Sequence, residues 1–244
     1  MKYSIIIPAY NEEKYIRSCL HSVFAQDGIT DLSEVIVVNN ASTDATAKII
    51  KNEYPQVRLI DEPKKGLATA YNRGAYEAFG DILIFADSDM VLPKEHLKQI
   101  CYEFKRDDRL VALSGPYVYR DGGLVLEILT RSIYLLIAMP AEIVINRCLK
   151  MGASIASGNM AVRKEIFQKV GGFNEELFYG MESELASRIR KHGKIRFRYR
   201  FSAESSSRRF KNEGPLTIIL KHVICTFAPL LFGKTFTRNY ADIR

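Results

Sequence analysis

Two carboxylates one residue apart, Asp87 and Asp89, close the apolar run Ile82-Leu-Ile-Phe-Ala86. Hard oxygens at that spacing can hold a divalent cation, and such a cation can neutralise a diphosphate leaving group. The same residues also suit a turn, because Asp and Ser cap helices and Pro93 with Lys94-Glu95 looks like a helix start. The motif alone leaves both readings open. Position favours a site: an unbroken run of Ile, Leu and Phe reads as an interior strand of a parallel sheet, and such sheets carry ligands just beyond the carboxyl ends of their strands.

The elements that must position that strand are legible around it. Tyr3 to Ile7 is an Ile-rich strand closed by Pro8, and a helical pattern follows with Ile16, Leu20, Val23 and Phe24 on one side. Glu34 to Val38 reads as a second strand, broken by Asn39-Asn-Ala-Ser-Thr-Asp44, where Ser or Thr can cap a helix running through Ile49 and Ile50. Val57 to Ile60 is a short third strand, and Gly66 opens a helix to Phe79 that returns the chain to Ile82. This alternation implies right-handed crossovers and an α/β fold with a mostly parallel central sheet flanked by helices. No G-x-G-x-x-G or P-loop follows the first strand, which argues against a conventional dinucleotide or ATP site. Further on, a helix is expected from about Pro93 to Phe104 and an apolar strand over Leu110 to Val118.

At 244 residues, 47% hydrophobic and 26% charged, the chain can build one sizeable core or two small lobes. Cys19, Cys101, Cys148 and Cys225 are scattered with no C-x-x-C pair, and the N-terminus lacks a signal-peptide pattern. A reducing, cytoplasmic setting is expected, without disulfides or structural zinc. The formal charge of +7 is concentrated: between Arg188 and Lys211 there are ten Lys or Arg against the single carboxylate Glu204. Such a window can meet nucleic acid, anionic lipid or a diphosphate, or it can be a solvated face. Phe197, Tyr199 and Phe201 alternate within it, but as a period-two strand pattern that faces a core, so no nucleic-acid partner is expected.

Four motifs then occur in a telling order: Ser4-Ile-Ile-Ile-Pro-Ala-Tyr-Asn-Glu-Glu13, Val37-Val-Asn-Asn-Ala-Ser-Thr-Asp44, Gly66-Leu-Ala up to Asn72, and Ala86-Asp-Ser-Asp89. Together they resemble the family-two glycosyltransferases, inverting enzymes with the GT-A fold, over roughly residues 3 to 200. The resemblance implies that the first loop, with Pro8, Ala9, Tyr10, Asn11 and Glu12, and the second, with Asn40, hold the base and ribose of a nucleoside diphosphate sugar. Asp87 and Ser88 would join them, and Asp89 with Asp87 would hold Mg2+ or Mn2+ against the diphosphate. Lys65, in the loop ahead of the helix that Gly66 opens, is a candidate phosphate or ribose neighbour, with an ordinary exposed lysine as the alternative. The sequence departs from the family at Asn39 and Asn40, where paired aspartates are usual, and at Tyr71, where an arginine often stands. An amide donates as well as accepts, so Asn40 could read a base edge differently. Asp44 is a helix-cap candidate.

Ala156-Ser-Gly-Asn-Met-Ala-Val-Arg163 and Val170-Gly-Gly-Phe173 are also similar to the family, where they close over the donor sugar. In Phe178-Tyr-Gly-Met-Glu-Ser-Glu-Leu185, Glu182 falls on the family's catalytic aspartate and Glu184 on the next acid, with Met181 replacing the first. Inverting transfer needs a carboxylate to take the proton from the acceptor hydroxyl, and Glu182 can do so. Both acids would equally suit the first turn of a helix running to Arg190. Arg208 and Arg209 are candidates for contacts to diphosphate or acceptor.

The expected layout is a GT-A domain over 1–212, with a nucleotide-binding half (1–92) and an acceptor and catalytic half (93–212), then an apolar, membrane-associating tail over 213–244. The tail carries Lys221, His222 and Pro229, so an amphipathic helical arrangement on a surface is preferred to a clean crossing. Leu124 to Leu149 is strongly apolar but too interrupted for a confident span. The expectation is therefore a metal-dependent inverting glycosyltransferase, peripheral at the inner face of the cell membrane, acting on a lipid-linked or surface-glycan hydroxyl acceptor, with an anionic membrane surface as partner. The alternatives are a nucleotidyltransferase and a non-catalytic module that binds nucleotide or glycan at a membrane.

Overall fold

The computed structural model describes residues 1–27, 29–133, 136, 156–177, 180–214 and 217. Apart from 213, 214 and 217 the expected tail lies outside these residues, as do Cys148, Cys225 and, except Leu136, positions 134–149 of the Leu124–Leu149 stretch. The chain runs β1 (Tyr3–Ala9), α1 (Ile16–Phe24), β2 (Leu32–Asn39), α2 (Thr46–Glu53), β3 (Arg58–Asp61), α3 (Leu67–Glu77) and β4 (Ile82–Ala86), the strand that ends at Asp87. There follow β5 (Met90–Val91), α4 (His96–Arg106), β6 (Leu110–Ser114), β7 (Tyr117–Val118), α5 (Gly123–Ile133), β8 (Asn159–Arg163), α6 (Lys164–Lys169), α7 (Met181–Ile189), β9 (Lys194–Phe197), β10 (Ala203–Ser205) and α8 (Arg208–Glu213).

The main sheet has seven strands in the order β3-β2-β1-β4-β8-β6-β9. Its first four strands are parallel, as alternation of strands and helices dictates. β8 runs antiparallel to both its neighbours, β4 and β6, while β6 and β9 are again parallel. The sheet is buried on both faces because its apolar runs do not alternate with polar residues. On one face Ile5, Ile7, Ile84 and Ala86 pack with Ile16, Leu20 and Val23 of α1 and with Leu97, Ile100 and Phe104 of α4. On the other, Ile6, Val38, Phe85 and Met160 pack with Tyr71 and Ala75 of α3 and with Met181, Leu185 and Ile189 of α7. Phe85 anchors an aromatic group there, its ring centroid 5.0 Å from Tyr71, 5.3 Å from Phe167 and 5.5 Å from Phe173.

A second sheet of three short strands, β5-β10-β7, starts just past the carboxyl end of β4. Its existence corrects two expectations. Leu110 to Val118 is not one strand but β6 and β7, separated at Gly115-Pro116. The break is enforced by close approach, since a Cβ on Gly115 would lie 1.8 Å from the Phe201 carbonyl oxygen. The Phe197/Tyr199/Phe201 alternation likewise does not continue as a strand: β9 stops at Phe197, Tyr199 is exposed, and buried Phe201 stacks on His96 at 3.9 Å. That turn frees the chain to enter β10, which pairs with β5 immediately after Asp89 and with Tyr117 of β7. The small sheet thus brings three segments, distant in sequence, to the end of β4.

Candidate functional site

Asp87 and Asp89 leave β4 in a tight turn whose Met90 N–H donates to the Asp87 carbonyl at 3.2 Å. The turn reading of this stretch therefore holds, and the candidate site carboxylates project from that turn. The Asp87 carboxylate is gripped from two sides. Tyr71 donates its hydroxyl to Oδ1 at 2.6 Å, and Tyr117 donates to Oδ2 at 3.5 Å. The Gly158 N–H in turn donates to the Tyr117 hydroxyl at 3.0 Å. Burial, and then the Asp87 charge, push both phenols well above their ordinary value, so each stays a neutral donor. Tyr71, where the family often has arginine, meets the carboxylate with a hydroxyl instead of a cation. Arg73 pairs with Glu77 at 3.2 Å on the helix flank.

Asp89 meets a cation directly, Arg208 of α8. The Arg208 Nη2 lies 2.9 Å from Asp89 Oδ2 and 2.6 Å from Glu12 Oε1, while Nη1 donates to Glu12 Oε2 at 2.8 Å. The guanidinium also covers the Tyr15 ring at 4.8 Å. Burial opposes its charge, but the Glu12 hydrogen bonds and the Asp89 charge outweigh that and raise its pKa further. Glu12 itself is fully buried. Beneath the turn, Cys19 lies 3.6 Å from the Asp87 carbonyl. Its thiol is pushed up by burial and then by Asp89, Asp87 and Glu12, which marks how closely the three carboxylates converge.

Glu182 stands in the first turn of α7, and Ser157 donates to its Oε1 at 2.8 Å. Ser157 adjoins Gly158, whose missing side chain makes room for Asp87: a Cβ there would fall 2.2 Å from Asp87 Oδ2. The dipeptide Ser157-Gly158 therefore touches both the acidic turn and Glu182. Glu184 faces elsewhere, in an ion pair with Arg188 at 2.6 Å, and Arg188 also donates to the carbonyls of Val170 and Gly172. Asn72 holds the same glycine turn through the Phe173 N–H and C=O.

The two expected nucleotide loops are laced together. Asn11, at φ 54°, donates its N–H to Ser42 Oγ and accepts from the Thr43 N–H. The Glu12 N–H donates to Thr46 Oγ1 at 2.7 Å. Asp44 caps α2 by accepting the Thr46 N–H at 2.9 Å and also accepts the Glu13 N–H. Asn40 is buried and its amide is occupied: it donates to the carbonyls of Glu62 and Lys64 and accepts from the Gly66 N–H. It clamps the 62–66 loop to the end of β2. Lys65 donates to the Tyr10 hydroxyl at 2.6 Å, bringing two expected donor contacts side by side. Pro8, Ala9 and Ser88 are buried. Arg209 follows Arg208 in α8.

At least half of the basic window is paired with carboxylates of the same chain, part of it at the surface. Arg188, Lys194, Arg196, Arg198 and Arg208 are all in ion pairs, with Glu103 and Asp107 serving three of them. Sequence reasoning singled out Asp87, Asp89, Glu182 and Arg208, and placed Ser157 and Gly158 within a family-like stretch without giving either a contact, but missed Tyr117. Nothing local shows that Tyr117, Ser157 and Gly158 meet Asp87 and Glu182, because their position depends on β7 and β8 meeting β4.

Among the described residues no cluster of three or more His, Cys, Asp or Glu is arranged to hold a metal by itself. Asp89 and Asp87 nevertheless suit a hard divalent cation, and the guanidinium at Asp89 occupies a place where positive charge is required. Ligands beyond these two carboxylates would come from the bound substrate and water.

The model of the family described as "Glycosyl transferase family 2" matches residues 4–171. The chain is 28% identical over 203 residues to "Probable glycosyltransferase YdaM" of Bacillus subtilis, covering 77% of this chain and 46% of that protein. It is 36% identical over 122 residues to the poly(ribitol-phosphate) beta-N-acetylglucosaminyltransferase TarS of Staphylococcus aureus, covering 47% of this chain and 21% of that one. The chain thus spans less than half the length of these relatives. Its fold is similar to that of the mannosyltransferase PcManGT from Pyrobaculum calidifontis, solved with GDP-Man and Mn2+, with a TM-score of 0.72 at 22% identity over 97% of this chain and 66% of that one. Motif order, the mixed GT-A sheet and the family match agree, and the chain belongs to glycosyl transferase family 2.

Proposed function

We propose that the protein transfers a sugar, with inversion, from a nucleoside diphosphate sugar to a hydroxyl acceptor. One observation carries this reading: the dipeptide Ser157-Gly158 joins the acidic turn at Asp87 to the carboxylate of Glu182, so leaving-group chemistry and proton abstraction share one floor. Relatives and neighbours support it, TarS having been solved with UDP-GlcNAc and PcManGT with GDP-Man.

In this mechanism Tyr10, Lys65 and the laced loops around Pro8, Ala9, Glu12 and Asn40 receive the nucleotide, with Asp87 and Ser88 at the end of β4 beside it. Asp89, with Asp87, would hold Mg2+ or Mn2+, which when bound would supply positive charge against the departing diphosphate. Tyr71 and Tyr117 fix the Asp87 carboxylate, and Arg208 adds positive charge on the diphosphate side; Arg209, whose side chain lies outside the described residues, is a further candidate for diphosphate or acceptor contact. Ser157 sets the orientation of Glu182. As the acceptor oxygen attacks the anomeric carbon opposite the nucleotide, its proton passes to the Glu182 carboxylate and the bond from sugar to diphosphate breaks.

The working unit in this reading is residues 1–212, with the nucleotide handled by 1–92 and the acceptor by 93–212. The acceptor is a lipid-linked or surface-glycan hydroxyl, reached from the inner face of the cell membrane, against whose anionic surface the apolar 213–244 segment rests. No helix among the described residues is long and apolar enough to cross a membrane. A thermal-shift panel of nucleoside diphosphate sugars with and without Mn2+ tests the proposal, because a ligand that binds only the folded state raises apparent stability. A metal-dependent rise with one or more donors is expected; no rise with any donor would overturn it.

A further inference from the structure

The Glu12–Arg208 pair is a cation built into the site. Glu12 is fully buried, so its carboxylate requires a partner, and Arg208 arrives from 196 positions away to supply two hydrogen bonds. The rest of its helix is fastened separately: the Ser207 N–H donates to Asp121 Oδ1 at 2.8 Å, Lys211 donates to the Asp121 carbonyl at 3.1 Å, and Phe210 packs edge-on against Tyr119 at 4.8 Å. The guanidinium is therefore held on its far side by Glu12 and α8, and only one edge reaches toward Asp89. That contact uses Nη2, the nitrogen already donating to Glu12 Oε1.

We propose that Arg208 and a divalent cation are alternative partners of the Asp89 carboxylate, and that Glu12 is the anchor that keeps Arg208 in place when Asp89 changes partner. Without metal, the guanidinium balances Asp89 and the acidic turn is preserved. When metal takes the Asp89 oxygen, Arg208 keeps both hydrogen bonds to Glu12 and its Nη2 edge turns to the diphosphate. Arg208 is thus a positioning residue that links metal loading to nucleotide binding. Because linkage is reciprocal, each ligand makes room for the other. This inference rests on the metal-site reading above.

Free Mn2+, read from its paramagnetic resonance signal, tests it without any catalytic turnover. Titrations of the wild-type chain, Arg208→Gln and Arg208→Lys are run with Mn2+ alone and again with UDP or GDP present. Removing the competing charge in Arg208→Gln is expected to tighten binding of Mn2+ alone by about tenfold, the scale of one charge-assisted hydrogen bond. The added gain that nucleotide gives to Mn2+ affinity should shrink in the same variant. Arg208→Lys keeps a charge for Glu12 but lacks the planar fork that grips both Glu12 oxygens while one edge reaches Asp89, so it should also bind Mn2+ alone more tightly than wild type, by a smaller factor; it decides the matter if Arg208→Gln does not fold. Unchanged or weaker binding of Mn2+ alone in the folded variants overturns the exchange. A wild-type chain that takes up no Mn2+ even with UDP or GDP overturns the metal site itself.

Discussion

Replacing Gly158 by alanine isolates the geometry on which the acidic turn depends. Gly158 does not lie in the left-handed region, so alanine brings no backbone strain of its own. What it brings is a collision: the new Cβ would sit 2.2 Å from Asp87 Oδ2 and 2.3 Å from its Cγ. Carbon and oxygen in ordinary contact stand at about 3.4 Å or more, so the carboxylate must retreat by about 1 Å. Doing so surrenders the 2.6 Å bond from the buried Tyr71 hydroxyl. A hydrogen bond to a charged group contributes about 1.5–3 kcal/mol, which corresponds to a loss of roughly ten- to hundredfold in affinity for a ligand that needs Asp87 in place. Urea unfolding and isothermal titration with Mn2+ and UDP or GDP measure the two consequences. Tyr71→Phe, which removes the same bond without a clash, should show a loss of stability in the same range. Wild-type affinity in a folded Gly158→Ala chain would refute the placement of Asp87 in the binding site.

Two further outcomes follow from side chains outside that turn. His96 is buried against Phe201 and desolvation lowers its pKa to about 3, below the usual 6.5. The unfolded chain therefore binds a proton that the folded one refuses, so this contribution is intact above pH 6.5 and is lost as pH falls toward 3. Between pH 6.5 and 5 the loss is about 2 kcal/mol, and His96→Leu should flatten that part of the stability profile; an unchanged slope in urea melts contradicts it. Glu184 serves Arg188 and the glycine turn, so Glu184→Gln should lower stability by about 1 kcal/mol and leave nucleotide release in place, with release lost outright as the contrary result.

The parallel half of the molecule was legible because it is locally encoded. Each apolar run from β1 to β4 is followed by a helix of the right period, and the Asp87/Asp89 turn must then fall at the sheet's carboxyl edge. The second half was legible only in pieces. β8 lies antiparallel between β4 and β6 although its sequence resembles any other buried strand, since register and direction are set by partners far away in the chain. The three-stranded sheet was invisible for the same reason: strands of two or three residues carry no period to detect. Tyr117, Ser157 and Gly158 enter the site through those pairings. Arg208 was visible as a charge, but its bond to Glu12 was not, because no pattern links positions 196 residues apart. The basic window left its partners open in sequence: Glu103 and Asp107, on and just beyond α4, pair with Lys194, Arg196 and Arg198, and no local pattern shows it.

Glu182→Gln tests sugar transfer by this site most directly. The amide keeps the shape of the side chain and can still accept from Ser157, but it cannot take a proton from an acceptor. The measurement is acceptor-dependent nucleotide release from a nucleoside diphosphate sugar with Mn2+, read beside donor affinity by titration. The expected result is loss of release by at least about 100-fold with donor affinity preserved, the scale of a general base. Release at the wild-type rate from the folded variant would contradict the role of Glu182 and, with it, the proposed reaction at this site.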